Sequence, residues 1–405
     1  EIIERLIPYV DAHLAAGATI TLIDGKGRRV VPISHVTGDL AAAVRGAELI
    51  LCPTPAFAQE DLARRVAPLL EPGQVVYLPP GTFGSYIFAK AAHDVGRAKD
   101  VSFAETGTLP WLARKQGPYE VRISGRGVRL PTGVFPLTHK MHALDVIGRA
   151  FPKAIEDCGD ILSGALMNAG PVIHPPLIVM NAGPLEHFDR WDIHKEGTQP
   201  AIRRVTDLLD AERMTLREAF GYGPPHFPLA DHYAKRAWMY EAEAHDTLTD
   251  SGDWRERIVL TKHRYMLEDT RIGLSFLISM AELAGVPTPL ARSFMSIGSA
   301  ITGEDFMRTG RTRQTLGIDH GDLLLVVRAG ARQGRTAFLP CERLRLMRVA
   351  SLGAGRMGRG VAVVFAYAGH EVAVVDFKER PQADFERLAL DALSEIESVF
   401  GALAR

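Results

Sequence analysis

The chain has 405 residues, enough for two or three domains. Its 47 lysines and arginines nearly balance 48 aspartates and glutamates, and a net charge of −1 leaves no basic surface for nucleic acid and no charge asymmetry for an anionic membrane. No apolar run reaches the roughly 18–20 residues of a spanning helix, and three scattered cysteines, Cys52, Cys158 and Cys341, with no CxxC pair argue against a disulfide scaffold or a cysteine-rich zinc site.

No signal-peptide pattern opens the sequence, so a cytoplasmic enzyme is the expectation. Glu1 stands where an initiating Met would, as in a fragment. Residues 1–16 read as an amphipathic helix, with Ile2, Ile3, Leu6, Ile7, Val10 and Leu14 at helical spacing, and Gly17 ends it. Thr19 to Ile23 and Arg29 to Ile33 flank Asp24-Gly25-Lys26-Gly27, a hairpin signal. Asp39 is placed to cap a short Ala-rich helix. Strands 48–52, 75–78 and 101–105 alternate with helices 59–70 and 84–95, which argues for a parallel sheet covered on both faces.

In such a sheet ligands gather at the carboxyl ends of the strands. Here those ends are Cys52 to Pro55, Leu78 to Gly81 and Glu105 to Thr108, so Pro53, Pro80 and Gly81 are candidate cofactor contacts. The plain alternative is ordinary turn chemistry. Residues 119–134 read as a hairpin about Gly125-Arg126-Gly127. From His142 the pattern turns helical and stays so to about 318, with long helices such as 200–220 and 270–284; Glu212 and Arg213 in the first of these read as surface charges.

An Arg- and Gly-rich stretch, 328–345, reads as a linker. After it Met347 to Leu352 forms a strand that runs into Gly353-Ala354-Gly355-Arg356-Met357-Gly358, and a second strand ends at Asp376. This is a dinucleotide fingerprint in its required context: Gly353 for the tight turn, Gly355 for approach to pyrophosphate, Gly358 for helix packing, Asp376 for the ribose hydroxyls. The acid disfavours a 2′-phosphate, so NAD is expected, with NADP as the second option. The expected fold class is an α/β Rossmann-like domain lacking its own first βαβ, an all-α domain, then a separate Rossmann βαβ segment. The divisions are 1–141, 142–325, a linker 326–346, and 347–405.

Met167-Asn168-Ala169-Gly170-Pro171-Val172-Ile173-His174-Pro175-Pro176 sets a histidine before a Pro-Pro pair. Because proline disfavours an α conformation in the residue before it, His174 is expected at a helix break with its ring aimed into a cavity. This stretch resembles the octopine/nopaline (opine) dehydrogenase family, as do His263-Arg264-Tyr265-Met266-Leu267-Glu268-Asp269 with Gly285-Val286-Pro287, and Ala104-Glu105-Thr106-Gly107-Thr108-Leu109-Pro110. The three motifs stand in order across roughly residues 30 to 318. The resemblance implies an NAD(P)-dependent oxidoreductase acting on CH–NH, which joins an amino acid to a 2-oxo acid and reduces the imine. The segment from 347 to about 400 resembles instead the start of a 3-hydroxyacyl-CoA dehydrogenase.

On this reading His174 is the general acid/base and Asp269 its orienting partner, positions that match the family's catalytic pair. A helix N-cap is the plain alternative for Asp269. Arg264 would clamp a substrate carboxylate, against the alternative of an ion pair with Glu268. Arg264 and Asp269 are five apart, about 140° round an ideal α-helix, so both can face one pocket only if the segment is not regular α-helix. Asn168, Glu105 and Thr106 are further candidates for substrate contact, Glu105 for a cationic side chain. His139 and His142 are spaced like a weak metal pair without a third ligand and read as surface residues, so no metal is expected.

Expected partners are small molecules, an amino acid and a 2-oxo acid, with no nucleic acid and no membrane; a homodimer is a further option. The competing functions are a 3-hydroxyacyl-CoA dehydrogenase-related protein and an inactive NAD-binding fragment of a fusion. Two origins suit the odd order of parts: truncation with fusion, which is favoured, or circular permutation. Either way a lone two-strand unit cannot bury its own apolar strands, so it is expected to dock on the vacant edge of the front sheet.

Overall fold

The computed structural model describes residues 17–117, 119–252, 254, 257–318, 347–352, 365 and 370–375. The predicted helices at 1–16 and 388–403, the linker 328–345, Cys341, Gly353, Gly355, Gly358 and Asp376 lie outside the described residues.

β1 (Thr19–Asp24) and β2 (Gly27–Pro32) form the predicted hairpin, in register from Thr19↔Pro32 to Asp24↔Gly27. Asp24 accepts from the Lys26 N–H across the turn, and Gly27 takes the positive φ that the turn needs. β7 (Trp111–Gly117) and β8 (Glu120–Arg126) complete a four-stranded sheet of order β2-β1-β8-β7. The hairpin expected about Gly125–Gly127 is therefore corrected. β8 has both edges taken, by β7 and β1. The chain then leaves at Gly127, whose N–H goes to the Pro110 carbonyl, and enters the other sheet as β9 (Leu130–Phe135).

That second sheet has eight strands. It adds β3 (His35–Thr37), β4 (Leu49–Leu51), β5 (Val75–Leu78), β6 (Ser102–Thr106), β10 (Ile155–Gly159), β11 (Arg348–Leu352) and β12 (Glu371–Val375) to β9. The order is β10-β9-β6-β5-β4-β11-β12-β3, parallel except where β9 runs against β6. From β3 to β6 this is the 3-2-1-4-5-6 order of a doubly wound dinucleotide-binding sheet. Its first two strands come from the far end of the chain.

The expected docking occurs, in a slot and not on an edge. Val349 pairs with Leu49 on one side, and Val374 pairs with Val36 on the other. The energetics favour this site because both faces are already lined. Ala350 and Leu352 bury against the face carrying helices Gln59–Val66 and Gly84–Asp94. Met347, Val349, Phe365 and Val372 bury against helix Lys140–Ala150 and the four-stranded sheet. Phe365 stands edge-on to Trp111 and Phe151, at ring separations of 5.6 and 4.9 Å. Each such side chain contributes about 1.5–3 kcal/mol when fully buried.

The helix that begins the change of period, Lys140–Ala150, lies on the sheet, and β10 extends the sheet. From Ile161 onward the chain builds a separate helical core around Leu177, Leu209, Leu216, Met266 and Leu277. Its main members are Gly170–Met180, Pro200–Ala219, Ser275–Ala284 and Pro289–Thr302.

Glu212 and Arg213 are not surface charges. Glu212 accepts from the Leu290 and Ala291 N–H groups and so caps the helix Pro289–Thr302. Arg213 is buried, donating to Asp210 and to the Leu166 and His226 carbonyls. No helix among the described residues is long and apolar enough to cross a membrane.

Candidate active site

A cavity of about 460 Å³ opens between the carboxyl ends of β5 and β6 and the helical core. Pro80 and Thr108 belong to its sheet side; Asn168, His174, Arg264 and Asp269 to its helical side.

His174 lies inside the helix Gly170–Met180, not at a break. Pro175 and Pro176 cannot donate to the carbonyls one turn back, yet the helix runs through them. Both prolines are buried, so packing on the helical core outweighs the lost bonds. The ring does reach a cavity, as expected. Its Nδ1 is 2.7 Å from Asp269 Oδ2.

Asp269 sits in a π-helix, Tyr265–Leu274, which continues directly as Ser275–Ala284; it is not an N-cap. In a π-helix the bonding step is i→i+5, so residues five apart come to one side. The Thr270 hydroxyl bonding the Tyr265 carbonyl, at 2.8 Å, spans that same step. This resolves the 140° conflict: Arg264 and Asp269 line the same cavity. Two glycines let the π-helix approach the His174 helix. A Cβ at Gly170 would strike the Asp269 carboxylate, and one at Gly273 would strike Pro171. Gly170 stood in a quoted motif without this role, and close helix contact is the signal that Gly273, inside its helix, can carry.

Tyr265 stacks flat on the His174 ring, centroids 3.7 Å apart and planes 9° apart, and its hydroxyl is 2.9 Å from His194 Nε2. Burial, then the neighbouring His174 and Arg114, hold the His194 imidazole well below its ordinary pKa and so neutral. His263 is pushed down to about 4 by burial and the same kind of neighbours. Tyr265 and His263, quoted in a motif but given no role, line the site together with His194 and Arg114, which the sequence did not bring forward. Arg114 lies on β7, its guanidinium 3.2 Å over the Trp254 ring. A single strand position amid polar neighbours carries no signal that would have selected it.

The other expected residues divide. Asn168 donates to the Thr82 hydroxyl and accepts from the Gly170 N–H, tying the loop after β5 to the His174 helix. Arg264 lies 3.4 Å from Glu268, whose other oxygen accepts the Ala56 N–H in the turn after β4. Burial raises the Glu268 carboxyl pKa. Pro80 lines the cavity, whereas Pro53 and Gly81 lie in the turns outside its lining.

Glu105 and Thr106 are placed away from it. Glu105 is fully buried and accepts from the Phe83 and Ser85 N–H groups and the Ser85 hydroxyl, at the start of helix Gly84–Asp94. An acid so engaged has no oxygen directed at a cationic substrate side chain. Gly81 has no Cβ because one would collide with this carboxylate. The Thr106 hydroxyl donates to the Pro131 carbonyl. His142 is exposed and bonds the Gly73 carbonyl. No group of three potential metal ligands occurs among the described residues.

Residues 157–302 match the model described as "NAD/NADP octopine/nopaline dehydrogenase, alpha-helical domain". Residues 348–398 match "3-hydroxyacyl-CoA dehydrogenase, NAD binding domain". An opine dehydrogenase of Arthrobacter sp. (strain 1C) is 27% identical over 288 residues, spanning 70% of this chain and 79% of that protein. A vitopine synthase of Allorhizobium ampelinum is 25% identical over 292 residues, 69% of this chain and 77% of that protein. Among solved structures, an octopine dehydrogenase in complex with NADH and agmatine superposes with a TM-score of 0.60 at 17% identity. That superposition covers 82% of this chain and 91% of that one. By sequence and by fold this chain is similar to the octopine/nopaline dehydrogenases, matching their alpha-helical-domain model at residues 157–302, and it matches a 3-hydroxyacyl-CoA dehydrogenase NAD-binding model at residues 348–398.

Proposed function

We propose that this chain catalyses the reductive condensation of an amino acid with a 2-oxo acid, using NADH. The observation that carries the reading is the His174–Asp269 pair in a cavity that also holds Arg264 and Arg114, at the carboxyl ends of a doubly wound sheet. The sheet fits a dinucleotide: its order reverses between β11 and β4, where such sheets bind one. The turns after β4 and β5, with Pro53, Pro80 and Gly81, would hold it together with the Gly353, Gly355 and Gly358 turn and Asp376 of the sequence fingerprint. When bound, the cofactor supplies the hydride that reduces the imine carbon.

The chain's own residues manage protons and charge. With Nδ1 committed to Asp269, Nε2 is the ring atom left to exchange a proton. His174 takes a proton from the attacking amine and returns one to the hydroxyl that leaves as water, so that the C=N bond forms. Asp269 holds the ring's orientation and stabilises the imidazolium between those two events. The Arg264 guanidinium suits a carboxylate, and both reactants carry one. Asn168 keeps the Thr82 loop and the His174 helix in fixed relation. The C-terminal match covers a nucleotide-binding unit alone, so it accounts for cofactor binding without requiring an acyl-CoA substrate.

The test is NADH oxidation, followed by absorbance, with pyruvate and a panel of amino acids. Turnover should require both reactants and should fall by about 100-fold or more in His174→Ala with the melting curve unchanged. Oxidation of NADH by a 3-oxoacyl-CoA ester, and by no amino acid and oxo acid pair, would overturn the reading.

A further inference from the structure

Besides the catalytic pair, a ring-rich group of residues lines the same cavity and forms one side, or lobe, of it. Its wall is aromatic: His232, Tyr233, Trp238, Tyr240 and His245, with Leu248. The rings pack on one another, His232 to Trp238 at 4.6 Å and Tyr233 to His245 at 5.0 Å. Several of their polar atoms are taken up by neighbours. The Tyr240 hydroxyl accepts from Thr108, the Trp238 N–H donates to the Phe227 carbonyl, and Arg203 bonds His245 Nε2. Burial holds the His232 imidazole down to about 4 and lowers that of His245, so both rings are neutral near pH 7.

The acids among the described lining residues are Glu268 and Asp269; Glu268 keeps one buried oxygen, Oε2, without a hydrogen bond. Glu268 meets the Ala56 N–H and lies beside Arg264; Asp269 holds His174. Behind the aromatic wall, Asp246 pairs with Lys235, and Asp210 pairs with Arg213 and accepts the Leu229 N–H. The Arg203 guanidinium lies 4.7 Å over the Tyr233 ring.

We propose that this lobe seats the side chain of the amino acid substrate, that the side chain is uncharged and aromatic or large and apolar, and that a cationic one is excluded. The proposal rests on the amino acid and oxo acid reading above and goes further in assigning the substrate class. An aromatic side chain gains edge and face contacts with the wall while losing little water. A guanidinium or ammonium would lose its hydration among these rings, close to the Arg203 guanidinium stacked on Tyr233.

The wild-type protein, with NADH present, is titrated calorimetrically with L-phenylalanine, L-leucine, L-alanine and L-arginine, and turnover with pyruvate is measured in parallel. Phenylalanine should bind at least 10-fold tighter than arginine, and its kcat/KM should exceed that for arginine by roughly 100-fold. In Trp238→Ala the phenylalanine-to-alanine ratio of affinities should fall about 10-fold. Arginine binding as tightly as phenylalanine would overturn the proposal, as would an unchanged ratio in a folded Trp238→Ala protein. Absence of turnover with every pair would sink the dehydrogenase reading, while the binding order would still decide the side-chain preference. Binding of none of the four amino acids would sink both.

Discussion

Asp269 reaches His174 from a segment wound as a π-helix, and the wider turn is what sets Arg264 on the same cavity. The carboxylate is buried and the imidazole mostly so, which makes their contact sensitive to the loss of the negative charge. Asp269→Asn keeps the shape and can still accept at Nδ1, but it no longer stabilises an imidazolium. Steady-state kinetics should show kcat lowered by about 100-fold, with a melting temperature close to wild type. A variant with full kcat would remove Asp269 from the mechanism.

Arg264 is tested by a change that keeps its charge. Arg264→Lys retains a cation but loses the planar fork that matches a carboxylate at two points. KM for one reactant should rise by roughly 10-fold or more while kcat changes less. If KM for both amino acid and oxo acid stays put, Arg264 serves only its neighbour Glu268.

Arg311 joins the two halves of the molecule and is buried. It donates to Gln59, to the Gly81 and Thr82 carbonyls, and to the Ala56 carbonyl. Burial pulls its pKa down to about 10, which leaves it charged at neutral pH. Replacement by Met would strand those carbonyl acceptors and remove a cation near Glu105 and Glu268. Equilibrium urea unfolding should show a loss of about 3–5 kcal/mol. A loss below about 1 kcal/mol would mean that the acceptors find other partners.

Burial pushes the Glu105 carboxyl from its ordinary 4.5 up to about 7, against the pull of Ser85, Phe83 and Arg311. Between those two values the folded protein keeps a proton that the unfolded chain has released, so this group makes stability fall as pH rises. The neutral histidines His232 and His263 act oppositely, between about 4 and 6.5. The informative quantity is therefore the difference between wild type and Glu105→Gln. Melting temperatures from pH 5 to pH 8 should converge or cross as pH rises, because only the wild type carries the Glu105 slope. Parallel curves would place the Glu105 titration outside this range.

Leu352 lies fully buried at the end of β11, among Leu62, Phe88 and Phe103. Leu352→Ala should cost about 2–5 kcal/mol in a single unfolding transition that also disorders the front sheet. A loss under about 0.5 kcal/mol would show that the C-terminal strands are not seated in the sheet in solution.

Much of this was legible in the residues. Alternating strands and helices announced the parallel sheet, and three ordered motifs brought His174 and Asp269 forward together. The docking of β11 and β12 followed from a physical need, since two apolar strands alone have nowhere to bury. Other features were hidden for identifiable reasons. Alternation marks β8 as a strand but does not name its partners, which is why a hairpin was read where two sheets diverge. The π-helix is invisible to a 3.6-residue template. Charge alone suggested exposure for Arg213 and Glu212, whose partners lie far along the chain. For Glu105, position at a strand end suggested a ligand, whereas the nearby N–H groups of Phe83 and Ser85 claim it.

The slot between β4 and β3 is filled by strands translated after the whole helical domain. On a ribosome β3 and β4 emerge before β11 and β12, so the slot between them is closed by strands made later. Such long-range closure is slow, and until it happened the gap would offer any stray extended segment a place to add on.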